Sequence, residues 1–328
     1  MKYVYEYPRP MVTVDILLWR YYKKKIEILL IRRGQPPFQG KWALPGGFIR
    51  MDETLEESAR RELRQIPTNS VVGLGFYPIN TVFAFNTDNI WMFSNAGSYC
   101  HWNGTIWQSQ YVPERQGGIN KIWGSSLTDI YFVGPNGSIT YYNGSSWQKL
   151  ESSIGAGGTE LPIQDIWGAK NENSEQEEIY CIASTKYYGD VSRVMKIDNN
   201  KIVEVSNTGL PCSISGIWFK PPHDYYIVGD GVFYTTKLNQ HSQWIELVDD
   251  ITGYYTNVIC GNNINNVFMA GDYNTVIHFN GMSWKNYQNN ELPSIPTKLL
   301  RLDVKNGLVV IVGYLSGNVI IIKGVRKN

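Results

Sequence analysis

Residues 117–150 read GGINKIWGSSLTDIYFVGPNGSITYYNGSSWQKL and contain the clearest indication of the fold. Its apolar runs are rich in Ile, Tyr, Phe and Val, and Gly or Asn turn residues interrupt them every ~8–12 positions, as in short antiparallel strands. The pair Asn143–Gly144 predicts a tight hairpin turn with both residues at positive φ. Trp147, three residues beyond the turn, is expected to open a fourth strand and to bury its ring against the next unit. The stretch therefore predicts a four-stranded antiparallel meander.

Related stretches repeat this order to the end of the chain. The clearest are residues 79–110 and 256–287, and weaker copies begin at 163, 214 and 298. The last core apolar residue of each opening run serves as an anchor, and the six anchors are Val82, Ile122, Ile166, Ile217, Val258 and Leu300. Repeats of about 40–50 residues with four short strands are typical of propeller blades. We predict a mainly β fold, a β-propeller with six visible four-stranded repeats and six or seven blades, preceded by a partial α/β segment.

Two features of the array concern how the ring is built. The sixth repeat ends after its third strand, so closure is expected to need a strand from before Val82, and Val71–Tyr77 (VVGLGFY) is the candidate. Trp123, Trp167 and Trp218 recur at one repeat position. Recurrence at one position favours packing between blades over stacking on a ligand.

The repeats resemble bacterial β-propeller repeats written I-x-x-I-W-G…D-[IV]-Y-F-V-G-x-x-G-x-I-x-x-Y-N-G-x-x-W, distant relatives of the sialidase-like and photosystem-assembly-factor propellers. The matching residues are Ile119, Ile122, Trp123, Gly124, Asp129, Gly134, Gly137, Asn143, Gly144 and Trp147. The resemblance implies a propeller over about residues 76–328. It does not name a ligand, so we expect a protein or glycan partner of unknown identity.

Charge divides the chain into two parts. Residues 1–70 hold 13 of the 30 Lys and Arg but only 8 of the 29 Asp and Glu. Such a shift predicts a domain boundary, and we place a first segment at 1–66, a junction at 67–75 in which the candidate closing strand begins, and the propeller at 76–328. The neutral total argues against a nucleic-acid partner, and no apolar run approaches the ~20 residues of a membrane span. We expect a monomer, and the lack of a signal peptide favours the cytoplasm.

The first segment contains the only motif that indicates chemistry. The lead-in GQPPFQGKWALPGGF at 34–48 precedes an amphipathic run at 52–65. Gly47, Glu53, Arg61, Glu62 and Leu63 fall on the pattern G-x5-E-x7-R-E-U-x-E-E-x-G-U, where U is aliphatic. The segment therefore resembles the Nudix hydrolases, and its lead-in most resembles the branch that handles ADP-ribose.

The resemblance implies hydrolysis of a diphosphate linked to a nucleoside, with Mg²⁺ as the cofactor if the segment is active. The implied catalytic residues are Glu62, Glu53 and Arg61, with Glu62 also a weak metal ligand. The implied substrate- and phosphate-binding residues are Arg32, Arg33, Trp42, Gly46 and Gly47.

The Nudix pattern is incomplete in this chain. The family places metal-binding Glu residues three and four positions after Glu62, where this chain has Gln65 and Ile66. Three hypotheses follow: a binding propeller with an inactive or impaired Nudix-like segment, a Mg²⁺-dependent pyrophosphohydrolase acting on a substrate such as ADP-ribose, or a gene fusion of two unrelated proteins. Whether the chain is an enzyme stays open at this point.

Overall fold

A computed structural model describes residues 79–325, apart from 95–97, 112–117, 151–158, 186–188, 248–250, 288–290, 293–294, 306 and 317. In the first segment it describes 13–15, 19–22, 25–28, 30–33, 38–44, 46–48, 54–55 and 57–58. The chain divides into two compact units, Met1–Gly73 and Leu74–Asn328. The candidate closing strand at 71–77 lies outside the described residues, and the boundaries of the junction at 67–75 stay a prediction.

Short antiparallel strand pairs make up the described part of the first unit. The pairs are β1 (Thr13–Asp15) with β6 (Gly46–Phe48), β2 (Trp19–Tyr22) with β3 (Lys25–Ile28), and β4 (Ile31–Arg32) with β5 (Trp42–Ala43). Between β4 and β5 the backbone amide of Arg33 donates to the carbonyl of Lys41 at 2.9 Å, and the amide of Gly40 donates to the carbonyl of Arg33 at 2.7 Å. The strands β4 and β5 thus form a small hairpin.

A helix start follows at Leu55, within the predicted amphipathic run. The Thr54 hydroxyl accepts a hydrogen bond from the Glu57 amide at 3.2 Å, and the Glu57 carboxylate accepts one from the Thr54 amide at 2.8 Å. The Ser58 amide donates to the Thr54 carbonyl at 2.9 Å, which closes the first turn. This reciprocal pair is a capping box, in which the Thr54 hydroxyl and the Glu57 carboxylate each satisfy one backbone donor that a helix start leaves unpaired.

The second unit contains five four-stranded antiparallel sheets, each in chain order. Blade 1 has β7 (Ile79–Asn86), β8 (Asn89–Ser94), β9 (Ser98–Trp102) and β10 (Trp107–Tyr111); blade 2 has β11 (Lys121–Ser126), β12 (Asp129–Val133), β13 (Ile139–Tyr142) and β14 (Trp147–Leu150). Blade 3 has β15 (Ile163–Lys170), β16 (Glu177–Ala183), β17 (Arg193–Asp198) and β18 (Lys201–Val205). Blade 4 has β19 (Ile214–Phe219), β20 (Tyr225–Gly229), β21 (Gly231–Thr235) and β22 (Ile245–Glu246); blade 5 has β23 (Thr256–Asn263), β24 (Asn266–Gly271), β25 (Val276–Phe279) and β26 (Trp284–Asn286).

The sixth sheet is shorter by one strand. It consists of β27 (Lys298–Lys305), β28 (Leu308–Leu315) and β29 (Asn318–Val325) in that order. Within the described residues β29 pairs on one side only, with β28, and its Val319 and Ile321 are 70% and 66% exposed. The prediction that the last repeat ends after three strands is confirmed for this part of the chain.

The six sheets form a six-bladed β-propeller. The first strand of each blade contacts the first strand of the next, from β7 through β11, β15, β19 and β23 to β27. These six strands are therefore the inner strands around a central channel, and the later strands of each blade lie progressively outward. The predicted fold class is confirmed. Among the described residues, no helix has the length and hydropathy of a membrane span.

The apolar core lies between blades rather than in one central mass. Each of five apolar clusters is shared by two adjacent blades, as in the cluster that joins Trp123 and Ile139 of blade 2 to Ile166 and Met195 of blade 3. A single four-stranded sheet cannot bury both of its faces, so each repeat depends on its neighbours.

The recurring Trp residues pack between blades, as predicted. Trp218 is 2% exposed, and its indole nitrogen donates to the carbonyl of Gly261 in the next blade at 2.9 Å. Trp167 donates in the same way to the carbonyl of Phe219 at 2.9 Å. A Cβ atom at Gly168 would lie 2.4 Å from the ring of Trp123, so this close approach requires glycine.

Two details of the turns differ from the prediction. At Asn143–Gly144 only the glycine has positive φ, 92°, while the Asn143 side chain accepts hydrogen bonds from the amides of Ser145 and Ser146. Asn can therefore stabilise the turn through its side chain without entering the left-handed region. Trp147 does open a fourth strand, but its ring lies 5.5 Å from that of Tyr99 in the preceding blade, not in the next one.

Candidate functional site

The pairing register corrects two of the six predicted anchors. Ile122 pairs with Phe132, two residues before Gly134, and the residues that hold the same position are Ile259, opposite Met269, and Leu302, opposite Ile311. The predictions Val258 and Leu300 were therefore wrong by one and two positions. Each of these strands contains one extra residue, and adjacent apolar residues, Val258–Ile259 and Leu299–Leu300, leave the anchor position ambiguous in the sequence.

The extra residue is a β-bulge at the same place in the inner strand of every blade. The register shifts between Ile79 and Thr81, Ile163 and Asp165, Ile214 and Gly216, Thr256 and Val258, and Leu299 and Arg301. In blade 2, Asn120 and Lys121 both face Val133, because the Asn120 amide donates to the Val133 carbonyl at 2.8 Å. Bulges redirect side chains and are frequent beside functional sites.

The inserted residues are polar in five of the six blades. They are Asn80, Asn120, Gln164, Ser215 and Asn257, with Leu300 in the sixth blade. The bulges of blades 2–6 line a cavity of about 100 Å³, which we call the channel mouth. Its lining residues are Asn120, Lys121, Gln164, Asp165, Ser215, Asn257, Val258, Leu300 and Arg301. Five blades thus converge on one polar cavity.

Hydrogen bonds fix several of the polar side chains of the channel mouth. The Asn120 amide group donates to the carbonyl of Ile163 in the next blade at 2.9 Å, and the Ser215 hydroxyl donates to the carbonyl of Thr256, also in the next blade, at 2.5 Å. Gln164 donates to the carbonyl of Ser184 at 2.6 Å. A lining held in this way is preorganised for binding.

Asp165 is the only carboxylate among the lining residues, and its charge is already engaged. The residue is 3% exposed; one of its oxygens accepts from the amide of Ile217 at 3.0 Å and the other from the amide of Ile166 at 3.0 Å. The Lys121 ammonium lies 3.2 Å from Asp165 Oδ1. These partners neutralise and orient the buried carboxylate, which would otherwise be costly to desolvate.

Arg301 adds a second cation to the channel mouth. Its guanidinium donates to the carbonyl of Leu300 at 2.9 Å, and among the described residues no carboxylate lies within 4.0 Å of it. The side chain keeps solvent access, yet the surrounding protein lowers the pKa of the guanidinium by desolvation, and the nearby charge of Asp165 acts in the opposite direction. The ionised side chains of the mouth therefore sum to one positive charge.

The structure describes only some of the residues that the Nudix pattern singled out. Glu53, Arg61 and Glu62 lie outside the described residues, as do Gln65 and Ile66. The five residues implied in substrate binding are described at least in their backbone: Arg32 in β4, Arg33 directly after it, Trp42 in β5, and Gly46 and Gly47 in β6. Their implied roles stay predictions.

Two aromatic and two cationic side chains are exposed on the β4–β5 hairpin. Phe38 and Trp42 are 72% and 67% exposed, and Arg33 and Lys41 are also exposed. Phe38 has a φ of 65°, which holds the aromatic residue in the left-handed region at the turn. Exposed aromatic rings and cations on one hairpin can contact a base and a phosphate.

The sequence could have revealed two of these features. The pattern T-x-x-E at 54–57 is the signal of a capping box, and the polar residue two positions before most of the anchors, as in Asn120 and Gln164, marks the bulge once the repeats are aligned. Arg301 has no such signal, because its blade departs from the repeat pattern. No group of three or more His, Cys, Asp or Glu that could hold a metal ion occurs among the described residues.

Comparison with known proteins agrees with the two parts of the chain. Residues 9–65 match the model of the NUDIX domain. Residues 9–65 are a Nudix segment. Over 59 residues the chain is 44% identical to an ADP-ribose pyrophosphatase of Methanocaldococcus jannaschii. The aligned region covers 18% of this chain and 32% of that protein. Over 60 residues it is 40% identical to the ADPR responsive transcriptional repressor NtrR of Acinetobacter baylyi, 18% of this chain and 24% of that protein. The chain spans a third or less of the length of these relatives, so the Nudix segment matches only part of each.

The propeller resembles solved propeller structures at low sequence identity. The structure titled YCF48 bound to D1 peptide superposes with a TM-score of 0.57 at 14% identity, covering 76% of this chain and 78% of that one. At this identity the likeness shows the fold alone. The predicted resemblances to the Nudix family and to propeller proteins are both confirmed.

Proposed function

We propose that this chain is a binding protein whose propeller holds a protein or glycan partner at the channel mouth, and whose Nudix segment has no or impaired catalytic activity. The observation that supports the binding role is the convergence of five bulged inner strands on one polar cavity. At the bulges, Asn120 and Gln164 donate to backbone carbonyls, which fixes their side chains and leaves their amide oxygens as acceptors on the lining.

The impaired activity of the Nudix segment follows from its donor set. Mg²⁺ is held by several hard oxygen ligands, and Glu residues at i, i+3 and i+4 would share one helix face. At those positions this chain has Glu62, Gln65 and Ile66, so only one carboxylate is available. These residues do not fit a firmly bound Mg²⁺.

A hydrolysis assay tests the catalytic half of the proposal. Full-length protein is incubated with ADP-ribose and Mg²⁺, and release of AMP is measured beside Glu62→Gln and a sample with EDTA. We expect background rates in all three. A Mg²⁺-dependent rate that Glu62→Gln abolishes would contradict an inactive segment.

A binding assay tests the other half. Full-length protein is applied to an array of peptides and an array of oligosaccharides, and each hit is titrated against Gln164→Ala. We expect at least a tenfold loss of affinity for Gln164→Ala and none for Gln176→Ala, an exposed Gln outside the channel mouth. Hits that bind both variants equally would place the partner site elsewhere.

A second candidate function is Mg²⁺-dependent hydrolysis of a nucleoside diphosphate-linked substrate such as ADP-ribose. It is favoured by the 44% identity to a protein named ADP-ribose pyrophosphatase and by the exposed Phe38, Trp42, Arg33 and Lys41 on one hairpin. The same hairpin is compatible with binding ADP-ribose without hydrolysing it. Equilibrium binding of ADP-ribose in EDTA, lost in Trp42→Ala, would distinguish binding from turnover.

A further inference from the structure

We propose that the channel mouth binds a carboxylate group through the guanidinium of Arg301. This inference rests on the proposed binding role of the propeller and adds the chemical class of the ligand. It follows from the charges, the size and the hydrogen bonds of the cavity.

The charges of the channel mouth favour an anion. Lys121 and Asp165 form an ion pair at 3.2 Å, and the oxygens of Asp165 accept from the amides of Ile217 and Ile166. Arg301 then remains as a cation whose guanidinium, within the described residues, donates to the carbonyl of Leu300 and pairs with no carboxylate. A guanidinium has five N–H donors in a planar fork, so most of its donors stay available for a ligand.

The size of the cavity limits what can enter it. A volume of about 100 Å³ is smaller than the ~150 Å³ cavity that accommodates benzene. A nucleotide or a sugar ring would therefore stay outside, while a carboxylate with one or two attached carbons fits. The remainder of a longer ligand would extend past the polar lining residues Asn120, Gln164 and Asn257.

The cavity favours a carboxylate over a phosphate. A planar carboxylate matches the guanidinium fork with two parallel hydrogen bonds. A phosphate carries up to two negative charges at neutral pH, and Arg301 is the one cation of the lining that Asp165 does not pair. A single unpaired cation balances one charge, so a monoanion is the better match.

The experiment uses the smallest probes that separate these contributions. N-acetylglycine, a carboxylate, and N-acetylglycinamide, its uncharged counterpart, are titrated into full-length protein at pH 7 by isothermal titration calorimetry. Acetate and inorganic phosphate are titrated alongside them. We expect N-acetylglycine to bind at least tenfold more tightly than N-acetylglycinamide and than phosphate. Comparable affinity of acetate and N-acetylglycine would identify a small organic acid as a sufficient ligand, whereas a clear preference for N-acetylglycine would indicate a peptide terminus; either result supports a carboxylate site.

Three variants locate the interaction. Arg301→Gln is expected to weaken N-acetylglycine at least tenfold, and Arg301→Lys is expected to recover only part of the loss, because an ammonium keeps the charge without the fork. Arg193→Gln is the matched control, since Arg193 pairs with Glu204 and is not among the lining residues. Thermal melts of each variant verify that the propeller is folded, and if Arg301→Gln does not fold, Arg301→Lys alone provides the comparison.

Two results would overturn the inference: N-acetylglycinamide or phosphate binding as tightly as N-acetylglycine, or unchanged affinity in Arg301→Gln and Arg301→Lys. If these occur while array ligands still lose affinity in Gln164→Ala, the carboxylate site fails and the proposed binding role survives. If array ligands are also insensitive to Gln164→Ala, both fail.

Discussion

The propeller and the Nudix segment differ in how often the sequence repeats its structural information. Each feature of a blade occurs up to six times, so the clear repeats identify the strands of an irregular repeat such as 163–184. The Nudix pattern occurs once, and its chemistry depends on three carboxylates at one spacing, of which only Glu62 is present. Replacing one blade residue therefore leaves the architecture recognisable, whereas the proposed loss of Nudix activity depends on only two positions, Gln65 and Ile66. Architecture tolerates local change better than convergent chemistry does.

The largest expected effect tests whether the repeated Trp position is structural. Trp218 is 2% exposed and bonds the next blade through Gly261, so Trp218→Ala removes a buried ring and leaves a cavity. We expect a loss of about 3–5 kcal/mol in the free energy of unfolding. Urea unfolding followed by far-ultraviolet circular dichroism measures it, with Met282→Ala, at a side chain 90% exposed, as the control. A loss as small as that of Met282→Ala would mean that the repeated Trp position does not stabilise the propeller.

The next effect concerns a residue that the repeats do not share. Asp165→Asn keeps the shape of the side chain but removes the charge that Lys121 and two backbone amides contact. Since hydrogen bonds to charged groups contribute about 1.5–3 kcal/mol each, we expect a loss of about 2 kcal/mol in urea unfolding. Asp190→Asn, at an exposed Asp, is the control. No loss would mean that the ion pair contributes nothing to the propeller and is retained for binding alone.

The sequence predicted the architecture well and the site poorly, for one physical reason. Strand periodicity, NG turns and recurring Trp are local signals that every repeat contains, and they gave the blades, the three-stranded last sheet and the role of Trp218. The channel mouth depends on where strands from five blades converge, and a bulge changes the direction of its side chains without changing composition. Asn120 and Gln164 were therefore not singled out. The anchors Val258 and Leu300 were misplaced because adjacent apolar residues, Val258 with Ile259 and Leu299 with Leu300, leave the register of these strands ambiguous in the sequence.

A smaller effect is expected at the start of the helix in the Nudix segment. Thr54→Ala removes the hydroxyl that accepts from the Glu57 amide, and loss of such a cap costs about 1 kcal/mol. Hydrogen exchange of the Ser58 amide, which bonds to the Thr54 carbonyl, is expected to accelerate about fivefold. Thr54→Ser keeps a hydroxyl and should exchange like the wild type. If Thr54→Ala also exchanges like the wild type, the capping box does not stabilise this turn.

The smallest effect is a pH dependence at the boundary between blades 2 and 3. Burial raises the pKa of Glu177 above 4.5, and the neighbouring Asp129 raises it further, while Ser125 and Lys170 act against the shift. The folded chain therefore holds this proton more strongly than the unfolded chain does, so the free energy of unfolding falls as the pH rises from 4.5 through the folded pKa. Glu177→Gln removes the titrating group and should reduce this decline in the free energy of unfolding. Relative to wild type, the variant is therefore expected to be more stable at pH 7 than at pH 4.

Urea unfolding between pH 4 and 8 measures the difference, with Glu160→Gln, at an exposed Glu, as the control. The pair of Glu177 and Asp129 occurs at this boundary and is not part of the repeat pattern. If wild type and Glu177→Gln show the same pH dependence, this pair makes no difference to the stability of the boundary.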